Sequence, residues 1–90
     1  MQITDIKIRK LFDEGPMKAV VSVTFDSQLA VHDIKIIQGR ERLFLAMPSR
    51  RMALGGYSDI AHPTSAELRS KIESAVLDKY ADTVNQQDPS

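Results

Sequence analysis

Ninety residues with a mass of 10.1 kDa make one domain. The chain has no cysteine, which excludes a disulfide framework, thiolate metal sites and a cysteine nucleophile. Twelve Lys or Arg balance twelve Asp or Glu, and 42% of the residues are hydrophobic, so bulk charge names no partner and the composition is not that of a disordered tail.

The first half is written in period two. Ile6, Ile8 and Phe12 fall on one face of a first strand with Lys10, and Lys7 and Arg9 on the other. Asp13-Glu14-Gly15-Pro16 breaks it. Met17, Ala19, Val21, Val23 and Phe25 then alternate with Lys18, Ser22, Thr24 and Asp26, a half-buried second strand. After the turn Asp26-Ser27-Gln28, a third strand from about Leu29 to Ile37 sets Ala30, His32, Ile34 and Ile36 against Leu29, Val31, Asp33, Lys35 and Ile37. Gln38-Gly39-Arg40-Glu41 turns again, and a fourth strand, Arg42 to Met47, ends at Pro48. Links this short join antiparallel neighbours. The pattern lapses from Pro48 to Pro63, where Gly55-Gly56 loosens the chain and Tyr57 to Ala61 fits a short fifth strand.

A helix follows, with Thr64 as N-cap and Glu67 completing a capping box. Leu68, Ile72, Val76 and Tyr80 make a stripe that faces the sheet, and Arg69 pairs with Glu73. The expected architecture is α+β: a twisted antiparallel meander of four to five strands with one C-terminal helix, over residues 1–84. Residues 85–90 read as a disordered polar tail. Two free sheet edges and a small core predict a homodimer. No apolar run approaches the roughly 18 residues of a membrane span and no basic-then-apolar leader opens the chain, so the expected location is the cytoplasm.

Neutrality conceals an asymmetry. Residues 1–56 carry nine basic and six acidic side chains, +3, against three and six, −3, in residues 57–90. Lys35, Arg40, Arg42, Arg50 and Arg51 stand within 17 positions that hold one acid, Glu41. The stretch is either a solvated surface or an anion-binding face.

Catalytic signatures are missing. His32-Asp33 has the look of a metal-dependent phosphohydrolase dyad, but neighbours on a strand point to opposite faces and cannot share an ion without a bulge. His62 and Asp59 lie elsewhere, so no metal site is expected and His32 reads as structural. No serine sits in G-x-S-x-G, and Gly55-Gly56 lacks the lysine of a phosphate loop. No catalytic residue, cofactor or small-molecule substrate is expected. The remaining candidates are basic. Arg50 and Arg51 follow Pro48-Ser49 on an irregular segment, where guanidinium forks can meet phosphate oxygens or guanine edges. Arg69 and Lys71 open the helix, whose positive end also favours anions, and Arg40 and Arg42 extend the basic stretch. With no Trp, two Tyr and three Phe, a broad base-stacking platform is not indicated.

Met17-Lys18-Ala19, Val31-His32-Asp33-Ile34, Leu43-Phe44, Met47-Pro48-Ser49-Arg50-Arg51 and Asp59-Ile60-Ala61-His62-Pro63, in this order and spacing, resemble the bacterial stage V sporulation protein G family. The likeness continues through Arg69, Ile72, Val76 and Tyr80 and covers about residues 2–80. Arg40-Glu41-Arg42 departs from the neutral turn of many members, Thr64 stands where Ile is common, and the segment 52–58 lacks charges often found there. The resemblance implies a homodimeric α+β domain implicated in asymmetric septation and sporulation, present also in bacteria that make no spores. It further implies a transcriptional regulator that binds DNA and in some cases RNA, with the family's basic doublet at Arg50 and Arg51 and its helix arginine at Arg69. The alternative is a protein–protein adaptor of division or sporulation machinery with weak nucleic-acid binding. His62, held extended by Pro63, either pins the helix entrance with Asp59 or touches a phosphate or base beside Arg50.

Overall fold

The computed structural model describes residues 1–87. Four strands, β1 (Ile3–Leu11), β2 (Met17–Phe25), β3 (Leu29–Gln38) and β4 (Leu43–Ala46), form one antiparallel sheet in the order β1-β2-β3-β4. Two three-residue strands, β5 (Ser49–Arg51) and β6 (Tyr57–Asp59), pair only with each other. The helix α1 (Ala66–Gln87) follows them. The expected α+β meander with one C-terminal helix is the observed architecture, but the strand at Tyr57 pairs with the arginine doublet instead of extending the meander.

The core is one face of the sheet against one stripe of the helix. Ala19, Val21, Val23 and Phe25 of β2, Ile34 and Ile36 of β3 and Leu45 of β4 are buried with Ile72 and Val76. Leu68 and Tyr80, the outer members of the helix stripe, pack against its margin. Burying large aliphatic side chains is worth roughly 1.5–3 kcal/mol each, so this layer carries most of the stability.

Strict alternation fails in two strands, and bulges are the reason. The β1–β2 register slips between Ile8 and Lys10, so Leu11, not Phe12, returns to the core face, while Lys10 turns away and sets its Nζ 5.3 Å from the Phe12 ring centroid. The β2–β3 register slips between Val21 and Val23, leaving His32 and Asp33 together opposite Ser22. Asp33 takes the left-handed conformation (φ +63°), and the strand changes phase there. Val31 therefore packs on the core with Ile34 and Ile36, and His32 lies on the opposite face, contrary to simple period two.

The β2–β3 hairpin turns through Asp26 and Ser27, both at positive φ (52° and 54°), with Gln28 N–H bonded to Phe25 O at 2.9 Å. Such a turn normally recruits Asn-Gly. Here β1 holds it instead. Asp26 N–H reaches Gln2 O, Gln2 N–H reaches Asp26 Oδ1, and Ser27 N–H reaches Thr4 Oγ1.

Ser65 caps the helix in place of Thr64: its Oγ accepts from Leu68 N–H at 3.1 Å, the N-cap to N3 bond, which leaves Glu67 in the first turn beside the positive helix end. The helix continues through Asn85, Gln86 and Gln87, beyond the 84 boundary, because no Gly or Pro interrupts before Pro89. The rest of the expected tail, 88–90, lies outside the described residues.

Candidate functional site

The arginine doublet is not on an irregular loop. Ser49 pairs with Asp59, Arg50 with Ser58 and Arg51 with Tyr57, making a two-stranded ribbon on which Arg50 and Arg51 point to opposite faces. Buried Pro48 anchors its base, where Ile60 N–H bonds to Pro48 O at 2.7 Å. Its tip closes by Met52 N–H to Gly56 O and Gly55 N–H to Met52 O, and positive φ at Gly55 and Gly56 (97° and 80°) is what only glycine adopts without strain. Every residue from Arg50 to Ile60 is exposed. Both guanidiniums are held out from the body, but on different faces they cannot grip a single phosphate together.

The six basic candidates fall in four places. Arg50 and Arg51 occupy the ribbon. Arg40 and Arg42 lie in the β3–β4 turn, where Arg42 Nη1 meets Glu73 Oε1 at 3.5 Å. That bond replaces the expected Arg69–Glu73 pair: Arg42, reaching across from the turn, takes the carboxylate. Arg69 and Lys71, two positions apart on the helix, face roughly 200° apart. Lys71 Nζ turns to Met1 O at 3.4 Å. Among the described residues Arg42 is the one cation within 4.0 Å of a carboxylate, so Arg40, Arg50, Arg51, Arg69 and Lys71 keep their charge for an outside partner.

His62 and Asp59 form no side-chain hydrogen bond among the described residues, so the backbone bond at Pro48, not this pair, fixes the approach to the helix. His62 and Pro63 instead line an apolar cavity of about 140 Å³ with Met1, Leu29, Val31 and Leu68. The ribbon and its tip carry exposed apolar side chains: Leu54 is fully exposed and Tyr57 76%, and Ile60 just after it is 66% exposed.

A second basic surface lies on the sheet face away from the helix, and the window from Lys35 to Arg51 misses it. Lys7 pairs with Ser22, and Lys10 and Lys35 stand on either side of Val20, so the three lysines share the Val20–Ser22 face across three strands. Arg9, displaced by its bulge, donates from Nε to Ser22 Oγ at 3.1 Å, and Ser22 Oγ lies 2.8 Å from His32 Nδ1. Ser22 is the one buried polar residue among those described, at 5% exposure, and these two partners satisfy it. The signal was available in the alternation that sets Lys7 and Arg9 on the polar face of β1. Recognising the cluster required the registers that align it with Lys35.

The bulge that His32-Asp33 would need for a shared ion is present, yet no group of three or more His, Cys, Asp or Glu converges among the described residues. No described helix is long and apolar enough to cross a membrane.

The SpoVG family model matches residues 1–82. The chain belongs to the SpoVG family. It is 61% identical over 80 residues to the "Putative septation protein SpoVG" of Acetivibrio thermocellus, covering 89% of this chain and 85% of that one. A protein of the same name from Clostridium novyi is 59% identical over 80 residues, 89% of this chain and 80% of that one. Another, from Clostridium botulinum strain Alaska E43, is 53% identical over 88 residues, 98% and 97% of the two chains. Each SpoVG relative is covered over most of its own length, and the match takes in the sheet, the ribbon and most of the helix.

Proposed function

We propose that this SpoVG-family chain is a non-enzymatic, cytoplasmic nucleic-acid-binding regulator that acts as a homodimer on DNA, and on RNA as well, in the septation and sporulation processes its relatives' names denote. The observation that carries the reading is the ribbon: two unpaired guanidiniums on opposite faces of an exposed two-stranded element. A ribbon of this width fits the roughly 12 Å major groove, where one arginine can meet base edges while the other holds phosphate. Arg40, Arg69 and Lys71 lie off the ribbon and add phosphate contacts, and Arg42 joins them where a phosphate displaces Glu73.

The dimer is supported by surface that a monomer leaves uncovered. The chain exposes 6552 Å², against roughly 5,300 Å² for a compact monomer of this mass, and Leu54, Tyr57 and Ile60 contribute to the excess. The same apolar residues are what an adaptor would use, which makes it the second reading. Filter retention of labelled duplex DNA and single-stranded RNA over a salt series separates the two. The regulator retains nucleic acid with a steep loss as salt rises, whereas the adaptor retains almost none at physiological salt.

A further inference from the structure

We infer that the helix-distal face of the four-stranded sheet is a second phosphodiester-binding surface, built on Lys7, Arg9, Lys10, Lys35 and His32 around Ser22. The inference rests on the nucleic-acid reading above and extends it to a part of the chain separate from the ribbon and the helix.

Three observations carry it. The first is unpaired charge: among the described residues none of these four cations has a carboxylate within 4.0 Å, in a protein whose net charge is zero. Two acids lie close by, Asp5 opposite Thr24 two residues before Lys7 and Asp33 in the bulge with His32, but the four cations outnumber them, and Glu73, Asp78 and Asp82 stand on the helix that covers the other face. The second is spacing. Lys10 and Lys35 flank Val20 from the two strands on either side of β2, and neighbouring strands lie about 4.8 Å apart, so the charges form a row across the sheet and not a single point. A row of cations matches a polymer of phosphates better than one small anion.

The third is preorganisation. Arg9 Nε–H can only donate, so Ser22 Oγ accepts from it, and we assign the Ser22 proton to His32 Nδ1. This leaves the imidazole proton on Nε2 and both terminal amino groups of Arg9 unused among the described residues. A guanidinium and an imidazole are thus oriented by one buried hydroxyl, and their remaining N–H donors suit phosphate oxygens. Less ordering entropy is then lost on binding than for freely moving side chains.

The test compares the wild-type chain, Lys7→Gln/Lys10→Gln/Lys35→Gln, Arg9→Gln and Arg50→Ala/Arg51→Ala, each against duplex DNA and single-stranded RNA over a salt series. The triple variant leaves the Ser22 network intact, so a thermal melt should match the wild type, and this variant decides the matter even if Arg9→Gln fails to fold. The expected result is a slope of log affinity against log salt flattened by up to about 2.7 per chain on duplex or about 2.1 on single strands, with affinity down tenfold or more. The loss should be additional to that of the ribbon variant. If the wild type binds and the triple variant keeps its affinity and slope on both probes, the sheet face is a solvated surface and the inference fails while the ribbon reading stands. If the wild type retains neither probe, the nucleic-acid reading itself fails and takes the inference with it.

Discussion

Replacing Leu54 and Ile60 together by Asp should abolish the proposed dimer without unfolding the chain. Both side chains are exposed in the single chain, Leu54 entirely and Ile60 by 66%, so the folded monomer loses almost nothing, within about 0.5 kcal/mol. In a dimer that covers them the arithmetic differs. Burying a Leu is worth about 1.5–3 kcal/mol, and the two-thirds of Ile60 left to bury about 1–2 kcal/mol. Two-fold symmetry doubles the sum to about 5–10 kcal/mol. At about 1.4 kcal/mol per tenfold, that raises the dissociation constant by roughly four to seven powers of ten, before any cost of burying the new carboxylates. Light scattering at about 10 μM should give twice 10.1 kDa for the wild type and 10.1 kDa for the variant, with superimposable melts at high dilution. A variant that stays dimeric would refute the assignment of this apolar surface to the dimer. A wild type that is monomeric would remove the dimer altogether.

Other outcomes follow from the same structure. Ser27→Gly should raise the melting temperature by several degrees, because it removes a left-handed strain of about 1–2 kcal/mol while keeping the N–H that bonds Thr4; a lowered value in calorimetry would contradict this. Ile36→Ala, at the fully buried centre of β3, should cost about 2–5 kcal/mol, read as the shift in urea midpoint, and a cost below 1 kcal/mol would mean the core is misassigned. Ser65→Ala should cost about 1 kcal/mol and Thr64→Ala far less, a contrast that fails if Thr64 is the true cap. A strong chelator should leave the melt of the purified protein unchanged, since no described cluster supplies three ligands.

Most of the fold was legible because hydrophobic alternation and short links leave few choices. Ala19, Val21, Val23 and Phe25 of the second-strand alternation are buried as expected, with Ser22 the polar-face exception, and the Leu68–Tyr80 stripe met the core. What alternation could not show were the bulges at Arg9 and at His32-Asp33. A bulge costs one unpaired residue and is decided by the partner strand, so a single strand's pattern carries little sign of it. Half of the ribbon was legible, since Tyr57 to Ala61 read as a short strand, but its partner was not: Ser49-Arg50-Arg51 is a strand only because Tyr57-Ser58-Asp59 lies beside it, and it has no apolar face to announce itself. The basic doublet could be read along the chain, but its division between two faces could not. Arg42 takes Glu73 from Arg69 across 31 positions, a pairing that helix spacing does not anticipate.

The central claim is that the arginine doublet meets phosphate. Its most direct test is the salt dependence of duplex binding by the wild type and by Arg50→Ala/Arg51→Ala. A dimer presents four of these guanidiniums, so if each meets a phosphate the slope should flatten by about 3.6, and by proportionally less if only some do. Affinity at physiological salt should fall by more than tenfold, and the melting temperature should hold, because exposed charges contribute little to folding. An unchanged slope and affinity in a folded variant would contradict the account.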